Sequence, residues 1–111
     1  MKRKYGNRKT VIDGYTFDSK REATRYGVLK MFEATGQIAD LELQPRFELI
    51  PKQRRSDGKP ERACEYVADF RYTDTATGQT VIEDAKGMRT RDYIIKRKLL
   101  LQVHGISVRE V

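Results

Sequence analysis

Residues 66–87, YVADFRYTDTATGQTVIEDAKG, decide how this chain is read. Tyr66, Val67, Phe70 and Tyr72 at one end and Val81 and Ile82 at the other favour extended backbone, and Asp74-Thr75-Ala76-Thr77-Gly78 between them is turn chemistry. The pattern predicts strands over 63–72 and 80–85, folded into an antiparallel pair by a turn at 73–79. Each strand then carries an acid that needs a reason. Asp69 sits among residues that prefer burial, where a carboxylate must be paired, bound to a cation or placed at the strand end. Asp84 and Lys86 are two apart, so on a strand they share a face with their Cα atoms about 6.6 Å apart, and Glu83 points the other way. Taken alone, Asp84 and Lys86 make an ordinary same-face ion pair.

Upstream, Phe47-Glu48-Leu49-Ile50, closed by Pro51, predicts a further strand, and residues 53–60 a long hairpin tip. Ser19 opens a helix over about 19–35 whose apolar stripe is Ala23, Tyr26, Leu29 and Phe32, and Gly36 stands where the C-terminal cap belongs. Before it, Thr10-Val11-Ile12 and Tyr15-Thr16-Phe17 flank Asp13-Gly14, the residues of a two-residue type I′ hairpin. Residues 1–8, with Lys2, Arg3 and Lys4, are expected to be a flexible basic arm, leaving 9–111 as one domain. Downstream, Thr90 caps a second helix running to about His104 and ended by Gly105, followed by a last strand over 106–111. Hairpin, helix, three strands, helix and strand make an α/β or α+β sandwich, the economical way to bury both helical stripes against a mixed sheet.

The chain has 111 residues, enough for one core. No apolar run approaches the roughly 18 residues of a membrane span, and no secretory stretch follows the basic N-terminus. Cys64 is the only cysteine, so neither an internal disulfide nor a thiolate zinc site can form, which fits a reducing cytoplasm. Lys and Arg number 23 against 16 acids, a net charge of +7, and this excess points to a polyanionic partner. The charge is regional: residues 1–30, 52–62 and 86–98 are basic, whereas 33–50 carry Glu33, Asp40, Glu42 and Glu48 against Arg46 alone. Such a distribution is a nucleic-acid footprint or a solvated basic surface.

Phosphodiester hydrolysis needs hard oxygen ligands for a divalent ion, open positions on that ion, and a cation near the attacking water. Asp69, Asp84 and Lys86 meet that list. Glu22 is ambiguous: Ser19-Lys20-Arg21-Glu22 is a capping box in which the glutamate reaches back to the Ser19 N–H, or else the carboxylate is aimed at the metal from the sheet-facing side of the helix.

Four blocks in order, Phe17-Asp18-Ser19-Lys20-Arg21-Glu22-Ala23, Leu43-Gln44-Pro45-Arg46-Phe47, Tyr66-Val67-Ala68-Asp69-Phe70 and Glu83-Asp84-Ala85-Lys86-Gly87, resemble the PD-(D/E)XK nucleases. The core of that superfamily has the same helix, three strands, helix and strand. Within it the chain looks most like short phage-encoded proteins similar to Holliday-junction resolvases and to phage endonuclease I. The resemblance implies a DNA endonuclease dependent on Mg2+ or Mn2+ and selective for branched DNA. Asp69, Asp84 and Glu22 would hold the metal, and Lys86 would aid the nucleophilic water. It implies a homodimer, since one site per chain cuts one strand, and the cytoplasm of a bacterial or phage-infected host cell. Ala68 stands where the family name has proline, a position without a catalytic atom.

Arg89, Arg91, Lys96, Arg97 and Lys98 around the second helix are candidates for phosphate contacts, as are Arg54 and Arg55 in the hairpin tip and Lys2, Arg3 and Lys4 in the arm. A solvated helix face explains the first five nearly as well. Gln44 lines the site or satisfies a turn, and His104 reads as a capping or packing residue rather than a ligand. The rival readings are a DNA-binding accessory protein that does no chemistry, and a nicking or sequence-specific endonuclease.

Overall fold

Left-handed backbone at Asp13 (φ 53°) and Gly14 (φ 80°) joins β1 (Thr10–Ile12) to β2 (Tyr15–Phe17), with Thr10 opposite Phe17 and Ile12 opposite Tyr15. This is the expected type I′ hairpin. The computed structural model describes residues 9–86 and 88–111, so the basic arm with Lys2, Arg3 and Lys4 lies outside the described residues, as does Gly87.

Helix α1 (Lys20–Ala34) begins at Ser19, whose Oγ accepts the Glu22 N–H at 3.1 Å, and ends at Thr35 with Gly36 at φ 79° behind it. Its stripe is the one expected: Ala23, Tyr26 and Leu29 are buried with Phe17, Ile38, Phe70 and Tyr72, and Phe32 packs at the margin. Leu29 is wholly enclosed in this cluster. Truncation to alanine therefore removes apolar contacts and leaves a cavity; Leu29→Ala is expected to lower the unfolding free energy by about 2–5 kcal/mol in a denaturant titration.

Strand β3 (Ile38–Leu43), directly after α1, is an element that the sequence pattern does not declare. Asp40 adopts φ 57° and the pairing register shifts between Ala39 and Glu42, a bulge that changes which alternate residues face inward. Ile38 is buried on one side of it and Leu41 and Leu43 pack inward on the other, so the alternation loses phase midway. From β3 the chain passes Gln44 and Pro45 into β4 (Arg46–Ile50), then through β5 (Gln53–Arg54) and β6 (Pro60–Glu61), which pair as the tip of the hairpin.

The return path, expected as one strand over 63–72, is divided into β7 (Cys64–Val67) and β8 (Phe70–Asp74). Leu43 pairs with Phe70 and Arg46 with Val67, and between them the Ala68 N–H donates to Pro45 O at 3.1 Å and the Gln44 N–H to Asp69 O at 3.0 Å. Pairing therefore continues through the bend, where Gln44 is left-handed at φ 51°. One long ribbon turns a corner, and Asp69 sits on it.

Beyond β8 the turn closes by bonds from the Ala76 N–H to Asp74 Oδ1 (2.9 Å) and from the Gly78 N–H to Asp74 O (2.7 Å). It leads into β9 (Thr80–Asp84), antiparallel to β8 with Phe70 opposite Glu83 and Tyr72 opposite Val81. Helix α2 (Arg91–His104) is capped by the Thr90 side chain and terminated by Gly105 in the left-handed conformation. The last strand is shorter than expected: β10 (Arg109–Glu110) lies parallel to β9, because the segment before it packs Ile106 and Val108 into the core instead of extending the ladder. The main sheet has the order β10-β9-β8-β3 and mixes parallel with antiparallel pairs.

Facing residues in a ladder share a side. Phe70, Tyr72, Val81 and Glu83 therefore look toward α1, and Ile82 and Asp84 look toward a second core of Leu49, Tyr66, Ala68, Tyr93 and Leu100 supplied by β4, β7 and α2. A helix covers each face, which makes this an α+β domain.

Candidate active site

The bend at Asp69 and the end of β9 interlock through reciprocal backbone-to-carboxylate bonds. The Asp69 N–H donates to Asp84 Oδ1 at 2.9 Å, and the Ala85 N–H donates to Asp69 Oδ2 at 2.7 Å. The Tyr66 hydroxyl donates to Asp84 Oδ2, and the Val111 N–H reaches the Asp84 carbonyl at 2.9 Å. Asp84 is completely buried. The antiparallel pairing of β8 with β9 thus brings Asp69, at the bend just before β8, beside Asp84 at the end of β9, and Asp69 keeps Oδ1 without a hydrogen-bond donor among the described residues.

Glu22, in the first turn of α1, is near enough to Asp69 for their charges to act on one another. It is buried at 6% exposure, and of the expected capping box only one half forms: Ser19 caps the Glu22 N–H, while the Glu22 carboxylate is favoured by the Asp18 N–H. It lines a cleft of about 320 Å³ together with Tyr15, Thr16, Phe17, Leu43 and Gln44. Gln44 borders this cleft, which Asp69, Asp84 and Lys86 do not line, and its N–H donates to Asp69 O in the bend. Lys86 is half-buried with Nζ 4.8 Å from the centre of the Tyr93 ring, a cation–π contact, and its charge acts on Glu22, Asp69 and Asp84 alike.

Burial of carboxylates in this corner raises their affinity for protons. Glu22 is pushed up to about 7, first by burial and then by the charges of Asp69 and Asp18, with Lys86 opposing. Asp84 is pushed up to about 6 by burial, against the lowering effects of Lys86 and of the Asp69 N–H. Asp69 is raised by burial in spite of the Ala85 N–H and Lys86. Three acids around one lysine leave negative charge in need of a partner, and hard carboxylate oxygens suit magnesium or manganese. Among the described residues no group of three or more His, Cys, Asp or Glu side chains is set to hold a metal ion. Magnesium is commonly held by one or two carboxylates, with water and phosphate in its other positions; Asp69 has a free Oδ1 among the described residues, whereas both oxygens of the buried Asp84 already accept hydrogen bonds.

The basic candidates are dispersed. Arg89 is engaged rather than free, paired with Glu110 at 2.6 Å, and Tyr93 donates to the same carboxylate at 2.7 Å. Arg54 donates to Gly58 O at 2.9 Å and Arg55 lies 3.5 Å from Asp57, so both brace the hairpin tip. Arg91 and Lys98 are exposed on α2, Lys96 and Arg97 half-buried, and Arg97 Nε is enclosed without a partner among the described residues. His104 packs, as expected: a ring nitrogen meets Glu48 O at 2.6 Å and the ring lies 5.9 Å from that of Phe47.

Three participants escaped the sequence reading. Tyr66 was legible as a buried strand residue three before Asp69, but not as the donor to Asp84. Asp18 affects both Glu22 and Asp69, and its only signal was adjacency to the N-cap. Glu83 was placed on the far face, yet nothing announced that it is fully buried there in a bidentate pair with Arg25.

No helix among the described residues is long and apolar enough to cross a membrane. No curated protein and no solved structure matches the chain. Residues 2–109, nearly the whole sequence, match the family described as a protein of unknown function (DUF1064), and the chain belongs to that family.

Proposed function

We propose that the protein is a metal-dependent DNA endonuclease of the PD-(D/E)XK type, cutting phosphodiesters with Mg2+ or Mn2+. The observation that carries this reading is the reciprocal lock between Asp69 and Asp84, with Lys86 acting on both carboxylates. Asp84 at the end of β9 and Asp69 at the bend before β8 are held by backbone N–H groups and the Tyr66 hydroxyl, with no ion pair to either among the described residues, so burial of both is left without a countercharge in contact. A divalent ion bound there supplies Lewis acidity toward a phosphoryl oxygen. The chain's own contributions are distinct from that. Asp69 and Asp84 orient the ligand oxygens, Lys86 settles negative charge developing on the attacked phosphate, and Glu22, with its raised proton affinity, takes up or returns a proton at a nearby water.

The basic excess of the chain favours DNA as the polyanion, and branched DNA is the proposed substrate. With one site per chain, two cuts require two chains, so the working form is a homodimer; sedimentation at working concentration should show it, and full junction cleavage by a monomer would remove this part. The test of the activity is a panel of linear, nicked, flapped and four-way DNA incubated with Mg2+, with and without chelator. Cleavage of the four-way substrate that stops on chelation is expected. Activity surviving complete metal removal would overturn the mechanism, and equal cutting of every substrate would remove the preference for junctions in favour of a general or nicking endonuclease.

A second reading, a DNA-binding accessory protein without chemistry, is favoured by one observation: no three acids among the described residues form a ready metal-ligand set. It predicts DNA binding with no cleavage of any substrate in the panel.

A further inference from the structure

We infer that Glu83 and Arg25 form a positioning clamp that fixes the Glu22 end of α1 against the sheet beside Asp69, whose partner Asp84 follows Glu83 on β9; the inference rests on the reading of that corner as a divalent-cation site. Glu83 directly precedes Asp84 on β9, and strand alternation sends the two carboxylates to opposite faces of the sheet. Arg25 lies three residues after Glu22 on α1, less than one turn away. Its Nε donates to Glu83 Oε1 at 2.8 Å and its Nη2 to Glu83 Oε2 at 2.7 Å, a two-pronged bond that fixes rotation as well as distance. One side of the clamp is therefore covalently next to Asp84 and the other less than a helical turn from Glu22.

The surroundings reinforce it. Glu83 is fully buried, the Tyr72 hydroxyl donates to its Oε2, and Arg109 Nη1 donates to the Tyr72 oxygen at 3.3 Å. α1 packs mainly on β3 and on the β1–β2 hairpin, so this ion pair ties the helix to the strand bearing Asp84 where packing does so least. Stability alone does not explain the arrangement, since a buried ion pair is commonly matched or exceeded by apolar side chains of similar volume. What the ion pair adds is geometry, and the geometry it sets is the relation between the helix acid and the strand acids.

The experiment compares the wild-type chain, Glu83→Gln and the double variant Arg25→Met/Glu83→Leu. Each is checked for folding by thermal melting, then titrated with Mn2+ followed by electron paramagnetic resonance, and separately assayed for cleavage of four-way DNA. The double variant keeps an apolar contact between helix and strand, though it leaves the Tyr72 hydroxyl without its acceptor, and is expected to stay folded with a cooperative melt. Both variants should bind Mn2+ about 10–100-fold more weakly, and if the protein cleaves, kcat should fall by a similar factor with KM for DNA little changed. Folded variants that bind Mn2+ as tightly as wild type would overturn the clamp, whatever they do to DNA. Wild type that binds no Mn2+ would overturn both the clamp and the cation site. Weaker binding in the variants beside a wild type that cuts nothing would support the clamp and sink the nuclease reading.

Discussion

Asp84→Asn should abolish cleavage, by about 10³-fold or more, while the purified protein stays folded and binds DNA at least as tightly as wild type. The replacement is nearly isosteric. Its Oδ1 can still accept the Asp69 N–H, and its amide can donate to the Tyr66 oxygen, so the interlock survives without the charge. What goes, on the proposed reading, is an ionic ligand for the cation and a buried negative charge at the site. Without divalent ion at pH 8, the variant should also be more stable than wild type by about 1–3 kcal/mol, because wild type must keep a buried carboxylate ionised there. Cleavage kinetics, DNA titration and chemical denaturation of the same preparation check all three. Retention of wild-type cleavage would remove Asp84 from the reaction, and a protein with no cleavage to lose would leave the accessory reading standing.

The second large effect is on stability, through metal and pH together. Glu22 rises from 4.5 to about 7 and Asp84 from 3.8 to about 6 in the folded protein. For acids shifted upward, the folded state holds protons that the unfolded chain releases. Their stabilisation is complete below about pH 4 and is lost as pH climbs through 6 and 7. Metal-free protein should therefore melt progressively lower between pH 5 and pH 8 on account of these groups. A divalent ion prefers the ionised carboxylates and reverses the trend. At a hundredfold excess over Kd it should add about 2.7 kcal/mol at pH 8, roughly 10 °C in melting temperature, and much less at pH 5. Differential scanning calorimetry at the two pH values, with Mg2+ and with EDTA, measures this directly. An Mg2+ shift equal at both pH values would show that the ion binds somewhere other than these acids.

The helices, the first hairpin and the pairing of β8 with β9 were legible because each is written locally. Caps, Gly36 and Gly105, Asp13-Gly14 and the Asp74–Gly78 turn act within a few residues of one another. β3 was not legible, because the bulge at Asp40 breaks the alternation that would announce a strand. The division of 63–72 was hidden for a different reason: Ala68 and Asp69 keep their backbone pairing to Pro45 and Gln44 through the bend, and the left-handed residue there is Gln44 on the opposite strand. At the candidate site the pairing of Asp69 with Asp84 followed from strand order. The partners of the charged residues did not. Arg89 meets Glu110 and Arg25 meets Glu83 across 21 and 58 positions, separations at which composition carries no information. An arginine counted as available for phosphate was already spoken for.

The pleat of β9 places two neighbouring acids in opposite company, Glu83 with Arg25 and Tyr72, Asp84 with Tyr66 and the Asp69 backbone. Gaining or losing one residue within this strand would turn it over, delivering a glutamate to the reaction corner and an aspartate too short to span the gap to the helix arginine. Length variation across related chains should accordingly concentrate in the hairpin tip at 51–62, where every side chain is solvated, and be absent between 69 and 86.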